Sequence, residues 1–413
     1  MTKRVAPKKR ITFAPRPRTK PPDFGLGGFS FVHNLSTRCA WYHLYMVRIH
    51  KMDKKLLVSI LLLVTAGFFI FLSASLGLLA RDTAHFSSIA FKQIFFGLIP
   101  GIIALYTLSR FDYIFWRKSS FYLFIVAIVL NIIIFVPGIG ISANGATRWL
   151  AIGTYSLQVS EILKIAVIMY FAAWLSSVRE RVSEWRYGLL PLVIMLVISA
   201  GLLLAQPDTD TFVVIAAALV AMFLVAGGKW RHVFLLVIVG LIGLSVLVLT
   251  RPYLRARIDN FIDPSASSLG SGYQLQQSLI AIGSGGITGR GFGQSVQKFG
   301  FLPEPVGDSI FAVAAEEFGF IGSVALIALF VFFTIRSFKV ASSVTNAFGG
   351  LLVVGIVSFM IAQSFINIAA MIGVLPLSGI PLLFVSQGGT ALLLALAEAG
   401  IILNVSRHAR VVG

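Results

Sequence analysis

The chain has 413 residues, 57% of them hydrophobic and only 12% charged, with a mean hydropathy of +0.90. A soluble domain carries about twice that charged share, so the composition excludes a soluble enzyme and points to a polytopic membrane protein. The net charge of +18 is lopsided: residues 1–55 hold 13 Lys and Arg against 2 Asp and Glu, so 11 of the 18 charges precede the first apolar run. A lone cysteine, Cys39, excludes an intramolecular disulfide framework.

The tail over 1–55, with Pro, Lys and Arg crowded into 5–22, has the composition of a disordered segment. Its charge suits anionic lipid or nucleic acid. It equally suits a cytoplasmic anchor obeying the positive-inside rule; this plainer reading is preferred and needs no nucleic-acid partner. Met46 and Met52 are alternative starts. The first apolar run, 56–80, is too long for a cleavable signal, and further runs follow it.

Ten spans are predicted, at 56–80, 89–108, 120–136, 158–176, 187–205, 212–227, 232–250, 308–335, 347–371 and 380–404. With the N-terminus inside, the inner connections carry Arg110, Arg117, Lys118, Arg179, Arg181, Arg186, Lys229, Arg231, Arg336 and Lys339, and the end of the chain adds Arg407 and Arg410. The short outer connections carry only Arg81 and Arg148. This asymmetry predicts an all-α membrane domain over 56–405, with both termini cytoplasmic and a short tail at 406–413. One outer connection, 251–307 between spans seven and eight, is far longer than the rest. Its apolar patch Tyr-Gln-Leu-Gln-Gln-Ser-Leu-Ile-Ala-Ile-Gly and its glycine turns favour a structured, re-entrant or membrane-surface element.

Ionisable groups in or at the mouths of spans mark function by default. Arg148 precedes the fourth span, Glu161 and Lys164 lie one turn into it, Asp208 and Asp210 join spans five and six, and Asp308 heads span eight. Ser386 lies in a Ser-Gln-Gly-Gly turn within the tenth apolar segment. Each has a structural alternative. Glu161 and Lys164, spaced i, i+3, neutralise each other on one helix face, and the aspartates suit helix caps. Asp308 is singled out because Pro303, Pro305 and Gly307 shape its approach. For Glu316 and Glu317, two turns further on, a polar network is favoured over catalysis. The Gly-Arg-Gly-Phe-Gly run at 289–293 follows no strand and faces outward, away from ATP. Chemistry there needs a substrate bearing its own leaving group. No His-Glu-x-x-His, Cys-x-x-Cys or Ser-His-Asp pattern is present, and His85 has no partner pattern, so no protein-ligated metal is expected.

Four stretches in order carry a resemblance: NGATRWLAIGTYSLQVSEILKIA, LLLAQPDTDT, the run from Tyr273 to Phe320, and GVLPLSGIPLLFVSQGGT. Together they resemble the SEDS family (shape, elongation, division and sporulation; FtsW, RodA and SpoVE), and GQSVQK is most like the division branch. The resemblance implies a multi-pass protein of the cytoplasmic membrane. It implies a peptidoglycan glycosyltransferase that polymerises lipid II outside that membrane during division, with an inverting reaction and no cofactor; a divalent cation on the pyrophosphate stays open. It places Asp308 on the catalytic aspartate, as general base, and Arg148, Glu161, Lys164, Asp208 and Ser386 at substrate-binding positions. Arg148 and Lys164 would stabilise the pyrophosphate and Glu161 would orient Lys164. A class B penicillin-binding transpeptidase and other division proteins are the implied partners. The alternatives are a lipid II flippase, an elongation-type polymerase, or a scaffold recruiting a transpeptidase. Departures from the family pattern are Val306-Gly307-Asp308-Ser309 for a His-Thr-Asp-Phe run, Thr209-Asp210 for Leu-Gly, and Gln387 for Tyr.

Overall fold

The computed structural model describes residues 52–80, 82–143, 146–152, 155–263 and 270–409. The basic tail through residue 51, Arg81, Asn144, Gly145 and Arg410 lie outside the described residues, so the readings placed on them stay with the sequence.

The apolar runs become helices because a chain in hydrocarbon must satisfy its own backbone groups. They are Lys54–Leu79 (α1), Phe86–Arg110 (α2), Ile114–Ile133 (α3), Val159–Ser177 (α4), Trp185–Ala205 (α5), Thr209–Val225 (α6), Trp230–Thr250 (α7), Ile310–Ser343, Ala347–Met371 and Gly389–Ser406. Nine are long and apolar enough to cross a membrane; α6 has 17 residues, about 25 Å at 1.5 Å per residue. Between α7 and the eighth span the long connection folds into Pro252–Ile262 (α8) and Ser271–Gly285 (α9). The last three spans are therefore α10 (Ile310–Ser343), α11 (Ala347–Met371) and α12 (Gly389–Ser406).

Three boundaries differ from the sequence expectation. Helix α3 starts at Ile114 rather than 120, taking Arg117 and Lys118 into its first turns. Helix α10 runs to Ser343, past Arg336, whose guanidinium is 2.8 Å from Asp53 Oδ2 at the head of α1. The segment 380–388 is not helical; α12 begins only at Gly389. Pro381 cannot donate an N–H to a helix, and Phe384 (φ 66) and Gly388 (φ 159) adopt left-handed-side backbone.

One element departs from an all-helical reading. Gly140–Ala143 (β1), Ala146–Ile152 (β2) and Tyr155–Gln158 (β3) form an antiparallel sheet in the order β1-β2-β3, with Ile141 opposite Trp149 and Trp149 opposite Gln158. Ala143 pairs with Ala146 across an Asn-Gly dipeptide, the strongest short hairpin signal.

Helices α4, α11 and α12 are the most buried and form the middle of the bundle. Helix α11 packs on α6, α10 and α4, while α12 packs on α2. Helix α7 stands apart, with Val233 its one buried residue.

Helix α10 is broken at Gly319 (φ 65, ψ −162). Segment 286–291 fills the break. The Arg290 and Gly291 amides donate to the carbonyls of Glu316 (3.0 Å) and Glu317 (2.9 Å), while the Phe320 and Ile321 amides donate to Gly286 (2.9 Å) and Ile287 (3.1 Å). A side chain at 319 would place its Cβ 2.3 Å from the Gly289 nitrogen, so only glycine fits. Just before the break, buried Glu316 accepts from Ser295 Oγ (2.5 Å) and the Val296 amide (3.0 Å). Buried Glu317 accepts from Lys298 Nζ (2.6 Å) and Ser73 Oγ (2.5 Å). These groups clamp the glycine loop between α1 and α10 and set the direction of the short half-helix that follows Asp308.

Candidate functional site

The turn 303–309 projects Asp308 into a cavity of about 340 Å³ at the end of the bundle that carries the sheet. Three successive carbonyls of this turn are held from the bundle. The Gln387 amide donates to Val306 O (2.7 Å), Ser386 Oγ to Gly307 O (2.8 Å), and Asn367 Nδ2 to Asp308 O (2.8 Å). Asn367 Nδ2 also donates to Ile380 O (2.9 Å), so one α11 side chain ties both strands of the site together. Glu304 closes the turn: its carbonyl accepts from the amides of Gly307 (3.1 Å) and Ser309 (3.2 Å). That closure holds Glu304 at φ 47, uncommon for a residue with a Cβ.

The cap of α10 is Ser309, not Asp308. Among the described residues the Asp308 carboxylate makes no hydrogen bond and faces the cavity. Arg148, Trp149, Arg257, Gln274 and Glu304 complete most of the wall. Burial comes first among the causes that push the Asp308 carboxyl up to about 7, followed by the charges of Glu304 and Asp210; Arg257 and Arg148 oppose the rise.

The two guanidiniums come from different elements. Arg148, on β2, is oriented by carbonyls: Nε donates to Gln206 O (3.3 Å) and another nitrogen to Pro207 O. Its NH1 is 3.8 Å from Asp208 Oδ1. Arg257, on α8, donates to Asp210 Oδ2 at 2.8 Å, and the same oxygen accepts from the Gly379 amide at 3.2 Å. Asp208, just before α6, and Asp210, in its first turn, thus supply the counter-charges for both arginines.

Of the sequence candidates, Asp308 and Arg148 share the cavity. Asp208 does not line it: it is 1% exposed behind Arg148, and burial raises its pKa against the lowering effect of that guanidinium. Glu161 and Lys164 do not line it either. Both are buried in the bundle, where Lys164 Nζ is 2.8 Å from Glu161 Oε1 and 2.7 Å from Gln363 Oε1. Gln363 in turn donates to Pro381 O (3.1 Å), so this trio braces the 380–388 segment. Ser386 is outside the cavity lining, and its hydroxyl donates to Gly307 O and accepts from the Leu382 amide (2.9 Å).

Sequence reasoning missed Arg257, Glu304 and Ser378. Ser378 lines the cavity with a buried hydroxyl that has no hydrogen-bond partner among the described residues. Arg257 sat among five basic residues of a long connection, with nothing in their spacing to separate it. Among the described residues no group of three or more His, Cys, Asp or Glu is placed to share a metal ion.

Fold and site together define a multi-pass membrane protein with an unbonded carboxylate in a guanidinium-walled cavity at one end of its bundle. The chain belongs to the cell cycle protein family FTSW_RODA_SPOVE, whose model matches residues 54–411. It is 37% identical to stage V sporulation protein E of Bacillus subtilis over 87% of this chain and 98% of that one. It is 39% identical to the "probable peptidoglycan glycosyltransferase FtsW" of Saccharophagus degradans over 86% and 92%. A solved structure described as "Structural coordination of polymerization and crosslinking by a peptidoglycan synthase complex" superposes with TM-score 0.70 at 25% identity, over 86% of this chain and 98% of that one. The rod shape determining protein RodA of Thermus thermophilus shares the fold, with TM-score 0.63 at 24% identity over 86% and 97%. The protein is accordingly a multi-pass protein of the cytoplasmic membrane.

Proposed function

We propose that this chain is a peptidoglycan glycosyltransferase that polymerises lipid II at the outer face of the cytoplasmic membrane during division. The observation that carries the reading is the Asp308 carboxylate, free of hydrogen bonds among the described residues, in a cavity walled by Arg148 and Arg257. A base needs an open carboxylate with a pKa near the working pH. A pyrophosphate leaving group needs fixed cations. Both requirements meet in one cavity.

In the transfer, the acceptor sugar 4-hydroxyl attacks the anomeric carbon of the donor, and its proton passes to Asp308. The bond from that carbon to the pyrophosphate oxygen breaks, and the electron pair leaves on the lipid pyrophosphate. Arg148 and Arg257 offset the charge that gathers there. Arg257 takes the place of Lys164 in this scheme, because Arg257 lines the Asp308 cavity and Lys164 does not. Attack from the face opposite the leaving group inverts the anomeric centre.

The outer placement rests on the inner bias of Lys and Arg between spans. The division role rests on the GQSVQK segment and on relatives printed as FtsW. A class B penicillin-binding transpeptidase is the expected partner. The superposable structure's description couples polymerisation to crosslinking. The test is polymerisation of purified lipid II by the detergent-solubilised chain, with and without a cognate transpeptidase. Glycan strands from the wild type and none from Asp308→Ala are expected. Translocation across vesicles without polymer would point to the flippase reading instead.

A further inference from the structure

We infer that a second cavity, behind the 304–308 turn, holds the acceptor saccharide, with Lys92 as the anchor for its pyrophosphate; this rests on the glycosyl transfer proposed above. The cavity measures about 580 Å³, and Lys92, Leu78, Ile89, Tyr273, Glu304 and Gln387 are among its lining residues. Glu304 belongs to the walls of both cavities. The left-handed turn at Glu304 is therefore the partition between them, and Asp308 stands four residues along it.

Size argues for a division of labour. A pocket that encloses one drug-sized ligand measures roughly 300–1,000 Å³. The Asp308 cavity, at about 340 Å³, has room for one sugar pyrophosphate and not for two. Glycosyl transfer brings two lipid-linked saccharides to one base. The guanidiniums mark the Asp308 cavity for the donor, whose pyrophosphate must leave. The acceptor keeps its pyrophosphate through the reaction and needs only an anchor that leaves its 4-hydroxyl free to reach across the turn.

Lys92 has the chemistry of that anchor. It lies on α2 six residues beyond Phe86, about 9 Å along the helix from the end nearest the site. The buried cations among the described residues are paired: Lys164 with Glu161, Lys298 with Glu317, and Arg336 with Asp53. Among the described residues Lys92 has no carboxylate partner, and it faces the cavity. An exposed ammonium at this turn of α2 meets a space of substrate size. The next residue fixes its place. Buried Gln93 accepts from the Gly388 amide (3.0 Å) and donates to Ser386 O (3.3 Å), locking this turn of α2 to the braces of the Asp308 turn.

The ligand chemistry is a lipid-borne phosphate, which bulk phospholipid also offers, so the experiment separates the two. The full chain in phospholipid-free detergent extends a labelled tetrasaccharide-pyrophosphate lipid whose terminal 4-hydroxyl is methylated, so that it acts only as donor. Lipid II is the varied acceptor. Loss of a charge-assisted contact is expected to raise the KM for lipid II about tenfold or more in Lys92→Ala. The donor KM and kcat should move less than about twofold, and Lys92→Arg should keep most of the affinity. Ser88→Trp, which fills the cavity from α2 and leaves the lysine in the sequence, should raise the same KM. An unchanged lipid II KM in Lys92→Ala, a rise confined to the donor KM, or an effect that appears only when phosphatidylglycerol is added back would overturn the inference. Absence of extension by the wild type would instead sink the glycosyltransferase reading.

Discussion

Replacing Asp308 with Asn keeps the shape of the turn and removes the ionisable group, so it separates chemistry from architecture. The carbonyl of residue 308 still accepts from Asn367, and those of 306 and 307 still accept from Gln387 and Ser386. Loss of a positioned general base lowers the rate by about 10²–10⁴. Stability should move the other way. The Asp308 carboxyl rises from 3.8 to about 7 in the folded chain. Between those pH values the native state therefore binds more protons than the unfolded state, and stability falls as pH rises through the window. At about 1.4 kcal/mol per unit, the penalty for ionising Asp308 has an upper limit on the order of 4 kcal/mol. Screening at this half-buried position brings it to about 1–2 kcal/mol. A neutral amide carries no such penalty, so D308N should match the wild type near pH 4 and exceed it above pH 7. The assays are lipid II polymerisation and thermal unfolding in detergent at pH 5 and pH 8. The wild-type rate should climb about tenfold per unit below pH 7 and then level. A variant that polymerises normally, or one less stable than the wild type at pH 8, would refute the reasoning.

Charges around the carboxylate should tune that profile. Glu304→Gln removes a charge that raises the Asp308 pKa, so the acid limb of the rate profile moves to lower pH. Arg257→Gln removes a charge that lowers it, so the limb moves up and kcat also falls by about 10²-fold or more; coincident profiles for the two variants would contradict the arrangement. Lys164→Met leaves Glu161 buried without its cation and should destabilise the bundle by about 3–5 kcal/mol, while the Glu161→Gln, Lys164→Met pair should recover most of the loss in a thermal-shift measurement. Gly319→Ala forces a Cβ to 2.3 Å from the Gly289 nitrogen at a left-handed φ. It should abolish accumulation of folded protein in the membrane, as read by fluorescence-detected gel filtration, and normal yield would show that the α10 break relaxes more freely than its hydrogen bonds suggest.

The span pattern was legible because hydrocarbon tolerates only internally satisfied backbone, and a run of apolar residues says so without reference to its neighbours. Asp308 was legible for a related reason. A carboxylate after Pro303, Pro305 and Gly307 stands out at the head of an apolar run wherever that run packs. Boundaries were less so. Arg336 reads as a loop residue until Asp53 is placed beside it across some 280 residues of chain. The β1–β3 sheet was announced only by an Asn-Gly dipeptide and a short alternating stretch.

What each polar residue does was decided by packing. Glu161 and Lys164 carry the same local pattern whether they face a cavity or each other, and only the approach of Gln363 from α11 shows that they brace the 380–388 segment. Ser386 is spent on the Gly307 carbonyl, and Arg257 and Lys92 are distinguished by the cavities they line. Hydropathy and backbone preference are properties of a few consecutive residues and can be read from them. The environment of a charge is set by atoms that are distant in sequence, so it emerges only when the helices have packed.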